Sequence, residues 1–117
     1  MQKLGEKYVF GVGVEKDFDK AREYFERAVA ANTPRARAFL ARFHIHGAGG
    51  LDIDKAAARR LLEEGIDKQE TTSMTVMAKS IVDGVFGPPD MEEARRLLRL
   101  ATDLGDATAK ADLDKLR

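Results

Sequence analysis

The chain has 117 residues, 44% apolar and 34% charged, with no cysteine or tryptophan and with 20 basic residues matched by 20 acidic ones. This composition suits one folded domain and excludes a disordered tail, a disulfide framework, thiolate metal sites and a cysteine nucleophile. Zero formal net charge argues against a general polyanion binder, and a charged opening with no apolar run of ~18 residues predicts a cytoplasmic protein without leader or membrane span.

The chain is predicted to be helical throughout. In chain order, Leu4, Gly5 and Tyr8 fall at i, i+1 and i+4, one stripe of a first helix, A1. Gly11-Val12-Gly13-Val14 forms a turn, and Asp17 caps helix B1, whose inner face reads Ala21, Tyr24, Phe25 and Ala28. A turn at Asn32 ends the unit, and Thr33-Pro34 supplies an N-cap and first-turn proline for A2. The pattern then repeats. Leu40, Ala41 and His44 mark A2, Gly47 its end, Asp54 the next cap, Ala58, Leu61, Leu62 and Gly65 helix B2, and Gln69 the closing turn. Met77, Ala78 and Ile81 mark A3, followed by Gly84, Asp90, then Ala94, Leu97, Leu98 and Ala101 on B3, and Gly105. Asp90 with Glu93 three residues on has the form of a capping box. A last helix, A4, runs from Asp106. Equivalent columns stand 36 or 37 residues apart, so the expected architecture is all-α: three antiparallel helix pairs (units 1–32, 33–69 and 70–105) plus a terminal helix over 106–117.

Leu4-Gly5-x-x-Tyr8, Ala21 and Phe25 resemble the tetratricopeptide pattern, but the unit exceeds 34 residues, and the added length lies in the Gly-rich A–B turn. The chain therefore resembles the Sel-one-like repeat (SLR) family along essentially its whole length. Units two and three depart from the motif, reading Leu40-Ala41-x-x-His44 and Met77-Ala78-x-x-Ile81. The resemblance implies a right-handed α-solenoid that acts as a protein-interaction scaffold, often in bacterial signalling or host contact. It also offers a second class, a small hydrolase of the β-lactam-binding type. Those relatives are disulfide-rich, and this chain has no cysteine.

Motifs that could carry chemistry read as structure. Gly11-x-Gly13 follows a helix instead of a strand, so it is a turn and not a dinucleotide loop. His44 and His46 point about 200° apart on a helix, which prevents both from meeting one metal ion. His44 falls in the core column of Tyr8 and Ile81. Ser73 and Ser80 lie in no G-x-S-x-G context. Paired carboxylates such as Glu63-Glu64 and Glu92-Glu93 fall on polar faces, several with an arginine one turn away, where they add a few tenths of a kcal/mol each. No catalytic residue, cofactor or metal is expected.

One charge feature stands out. Asn32 to Leu51 contains no acid but holds Arg35, Arg37 and Arg42. One reading pairs these arginines with carboxylates of adjoining B helices. The other follows from repeat geometry, in which A helices line the concave face and equivalent positions form rows across it. One row reads Glu6, Arg42, Lys79, Lys115; its neighbours read Lys3, Phe39, Val76, Asp112 and Lys7, Phe43, Ser80, Leu116. The expected partner site is thus Phe39, Arg42, Phe43, His46, Val76 and Lys79, suited to an acidic protein or peptide segment with apolar anchors. RNA binding through the A2 arginines is an alternative that the neutral charge disfavours. The short A1 is expected to leave Tyr24 and Phe25 half-covered, and Leu104, Leu113 and Leu116 near the far end offer a route to self-association.

Overall fold

The computed structural model describes residues 18–47 and 52–116, which form six α-helices and no strand. These are α1 (Phe18–Ala30), α2 (Ala36–His46), α3 (Lys55–Asp67), α4 (Thr71–Val82), α5 (Met91–Asp103) and α6 (Ala107–Lys115). In the repeat they are B1, A2, B2, A3, B3 and A4. The expected A1 helix, its Leu4-Gly5-x-x-Tyr8 motif, the Gly11–Val14 turn and the Asp17 cap lie outside the described residues, as do Glu6, Lys3 and Lys7 of the groove rows. Each helix packs on its successor, and α2 also touches α4, so A helices stack on A helices as an all-α solenoid requires.

The stops and starts are built from the predicted columns. Asn32, Gln69 and Gly105 all take positive φ, at 56°, 61° and 98°. Around each, the same pair of bonds closes the B helix. The Thr33, Glu70 and Asp106 N–H groups donate to the carbonyls of Ala28, Gly65 and Ala101 at 2.9, 2.9 and 3.0 Å, and the left-handed residue donates to the carbonyl three before it. This Schellman arrangement satisfies carbonyls that a helix end leaves free. Gly84 ends α4 the same way, and Gly47 ends α2 by donating to Phe43. Asp54, Asp90 and Asp106 each accept at a side-chain oxygen from the N–H three residues on, at 2.9, 3.1 and 3.1 Å.

Two local expectations are corrected. Helix α2 starts at Ala36, not after Thr33: Arg35 precedes it at φ 74° with no side-chain cap, and its guanidinium lies 5.3 Å over the Phe39 ring. The turn thus passes Pro34 before the helix begins. At α5, Asp90 caps but Glu93 does not complete a capping box, because its carboxylate turns to Arg96 at 2.6 and 2.9 Å. That hydrogen-bonded pairing holds the Glu93 carboxyl below the ordinary glutamate range and raises Arg96.

Two apolar clusters fill the interior. Ala58, Leu62, Met74, Met77, Ala78, Leu97 and Leu98 belong to the larger one, which joins α2 through α6. Ala21, Phe25, Phe39, Leu40 and Phe43 form the smaller one between α1 and α2. Small residues at Ala21, Ala58, Ala94, Ala28 and Ala101 are all fully buried, consistent with a role of letting helix backbones approach.

Candidate groove of the stacked A helices

Helix α2 is buried along most of its circumference, from Ala36 through Ala41 and again at Phe43. A helix flanked on several sides by other helices must be apolar nearly all round, so only a narrow stripe meets solvent. On α2 that stripe contains Arg42 and, one turn on, His46; on α4 it contains Lys79, with Asp83 at the cap just past the helix end. The expected site residues therefore separate. Arg42, His46 and Lys79 are exposed, Val76 is half-buried against the larger core cluster, and Phe39 and Phe43 are inside.

The placing of Phe39 and Phe43 corrects the expectation that they line the groove. Phe39 stacks on Phe25 with ring centroids 5.1 Å apart and planes 13° apart, and Phe43 tilts against the same ring at 5.7 Å. Phe25 is fully covered by this arrangement, contrary to the half-covered state expected of it. Such aromatic pairs contribute about 0.5–1.5 kcal/mol beyond their buried area. Sequence rows place Phe39 beside Arg42 correctly in register, but about 60° around the helix, far enough to turn a groove anchor into core.

The apolar component of the groove lies elsewhere. A cleft of about 200 Å³ opens between α4 and α6, with Thr75, Ala78 and Val82 on one wall, Leu116 on the other and Leu98 of α5 in its lining. Lys79, Asp83, Asp112 and Lys115 also line it. Lys115 and Leu116 stand in the same rows as Lys79 and Ser80, so the repeat columns contained this signal. What they could not show is that α6 stands far enough from α4 to leave a cleft whose floor includes the edge of Leu98, itself a core side chain.

The charges differ in how they are engaged. Arg42 has no ion-pair partner among the described residues, Lys79 reaches Asp83 at 3.5 Å, and Arg37 is buried in contact with Glu70 and Glu64. The two readings of the basic α2 thus divide by residue: internal pairing for Arg37, exposure for Arg42. His44 is half-buried, with its Nδ1 atom shielded and unbonded, and its carbonyl accepts from the Asp54 N–H at 2.9 Å. Among the described residues no group of three His, Asp or Glu side chains could hold a metal ion, and no helix is long and apolar enough to cross a membrane. Of the leucines near the far end, Leu113 and Leu116 pack on the core and Leu104 is 45% exposed.

Comparison with known proteins points one way. The family model described as Sel1 repeat matches residues 1–32, 34–69 and 73–106. Among solved structures, a Sel1 repeat protein from Oxalobacter formigenes superposes with a TM-score of 0.79 at 25% identity, over 96% of this chain and 45% of that one. The protein c5321, a protective antigen of uropathogenic Escherichia coli displaying an SLR fold, superposes with a TM-score of 0.74 at 18% identity, over 98% of this chain and 24% of that one. This chain therefore spans less than half the length of either. No curated protein matches by sequence.

Proposed function

We propose that this chain, which belongs to the Sel1 repeat family, uses the exposed stripe of its A helices to hold an acidic segment of a partner protein. Sel1 repeat proteins are generally protein-interaction scaffolds, in a fold that is generally non-catalytic. The observation that carries the finer reading is the row Arg42, Lys79 and Lys115: three exposed cations at equivalent positions of α2, α4 and α6, beside the cleft that Leu98 and Leu116 line. An extended chain rises about 3.3 Å per residue, and packed helices such as α2 and α4 stand about 8–10 Å apart, with α6 set off further across the cleft. Arg42 then faces an acidic side chain about four or five residues from an apolar one seated between α4 and α6. The cations supply charge-assisted contacts and on-rate, and the cleft supplies an apolar subsite.

The test is fluorescence anisotropy with labelled synthetic peptides that place aspartate or glutamate three to six residues from a leucine, against the same peptides with lysine for each acid. The reading expects binding by the acidic set only, weakened at least tenfold by Arg42→Glu with Lys79→Glu. Equal binding by both peptide sets, or by wild type and a folded double variant, refutes it.

A further inference from the structure

Arg37 is an unusual residue for a solenoid interior. It is 2% exposed, on a helix whose other buried side chains are apolar. Its guanidinium donates to Glu70 at 2.8 Å and to the Asn32 side-chain oxygen, and its Nε, which has no hydrogen-bond partner, lies 3.6 Å from a Glu64 carboxylate oxygen. Ser73 Oγ donates to the other Glu70 oxygen at 3.4 Å. One side chain therefore ties the start of α2 to the turn before it, to the end of α3 and to the start of α4.

The repeat supplies an internal comparison. One unit on, the Arg37 column holds Met74, which is fully buried, the Glu64 column holds Leu100 and the Glu70 column holds Asp106. The columns of Gly65 and Ser73 hold Ala101 and Ala109. The charged cluster at one junction is thus replaced at the next by a fully buried thioether, with Leu100 exposed and Asp106 capping the following helix. Buried ion pairs seldom add net stability over an apolar filling of equal volume, but losing one partner is costly, because the remaining charge is stranded.

We propose that Arg37 is a positioning residue: its cluster fixes the separation and tilt of α2 against α4, and so the spacing of Arg42 and Lys79 on the exposed stripe. The cluster is interchangeable with the Met74, Leu100 and Asp106 set of the next junction, and its role is geometric. This inference does not depend on the peptide reading, because its readout is a distance and not an affinity.

The chain has no cysteine, so Arg42→Cys with Lys79→Cys allows two nitroxide labels and a distance distribution by pulsed electron spin resonance. Arg37→Ala is expected to broaden or shift that distribution, with helical content retained. Glu70→Gln, a milder change that keeps the fold if Arg37→Ala does not, is expected to broaden it less. Arg37→Met with Glu64→Leu and Glu70→Asp, which copies the unit-three set, is expected to restore a narrow distribution. An unchanged distribution in folded Arg37→Ala or Glu70→Gln, or failure of the triple variant to restore it, overturns the proposal; a purely stabilising role would lower the melting temperature and leave the distance alone.

Discussion

Gly65→Ala is the substitution whose sign separates close packing from ordinary helix chemistry. In an exposed helix interior, replacing glycine by alanine stabilises by roughly 0.5–1 kcal/mol, because glycine loses more backbone entropy on folding. Gly65 is instead buried where α3 meets the first turn of α4. A Cβ there would stand 2.0 Å from Ser73 Oγ, 2.7 Å from Ser73 Cβ and 2.9 Å from Glu70 Oε1. The hydroxyl can rotate, but Ser73 Cβ is fixed to the α4 backbone, so the helices must separate by a fraction of an ångström. Overpacking of this kind costs typically 1–3 kcal/mol. Displacing Glu70 also loosens the partner of a buried arginine. We expect Gly65→Ala to destabilise by about 1–3 kcal/mol, lowering the melting temperature by roughly 4–24 °C at the 4–8 °C per kcal/mol usual for small domains. Urea unfolding followed by far-UV circular dichroism measures it. Ser73→Ala in the same chain removes the tightest contact but not the Cβ one, so it should recover only part of the loss. A Gly65→Ala variant as stable as wild type, or more so, would refute the close approach of α3 and α4.

Three further outcomes are expected. Asp54→Ala removes the acceptor for the Ala57 N–H at the start of α3 and should cost about 1 kcal/mol in equilibrium unfolding, whereas Asp54→Asn should cost less because its side-chain oxygen still caps. Gln69→Gly relieves a left-handed, exposed non-glycine residue at φ 61°; the relief of about 1–2 kcal/mol outweighs the entropy glycine loses, for a net gain of a few tenths to about 1 kcal/mol in thermal unfolding. Glu93→Gln removes a carboxylate whose proton affinity is lowered by its hydrogen bond to Arg96. A carboxyl that titrates lower when folded stabilises above its unfolded value and loses that contribution as pH falls through the folded one. The stability difference between wild type and Glu93→Gln, a few tenths of a kcal/mol for a solvated pair, should therefore be present at neutral pH and disappear on acidification below the ordinary value of 4.5.

Among the described residues, the sequence by itself determined where most helices begin and end, the start of α2 excepted, and where their apolar stripes run. Among the described residues, backbone requirements recur at fixed columns: Gln69 and Gly105 both had to turn left-handed, and Asp54 and Asp90 both had to cap. Such demands are local, involving bonds within about six residues, so the order of residues suffices to state them. Charge balance and the lack of cysteine likewise follow from composition alone. What only the tertiary structure decided is which way each A-helix side chain faces. Phe39 lies one turn before Arg42 and in the same quarter of α2, yet it stacks on Phe25 of α1 while Arg42 meets solvent. Likewise Arg37 and Arg42 are both cations on one short helix, and only the approach of Glu70 and Glu64 from other elements makes the first a buried tie. The cleft beside Leu98 depends on the gap between α4 and α6. In each case the deciding partner lies on another helix, and its position is set by helix crossing angles and side-chain volumes summed over several contacts.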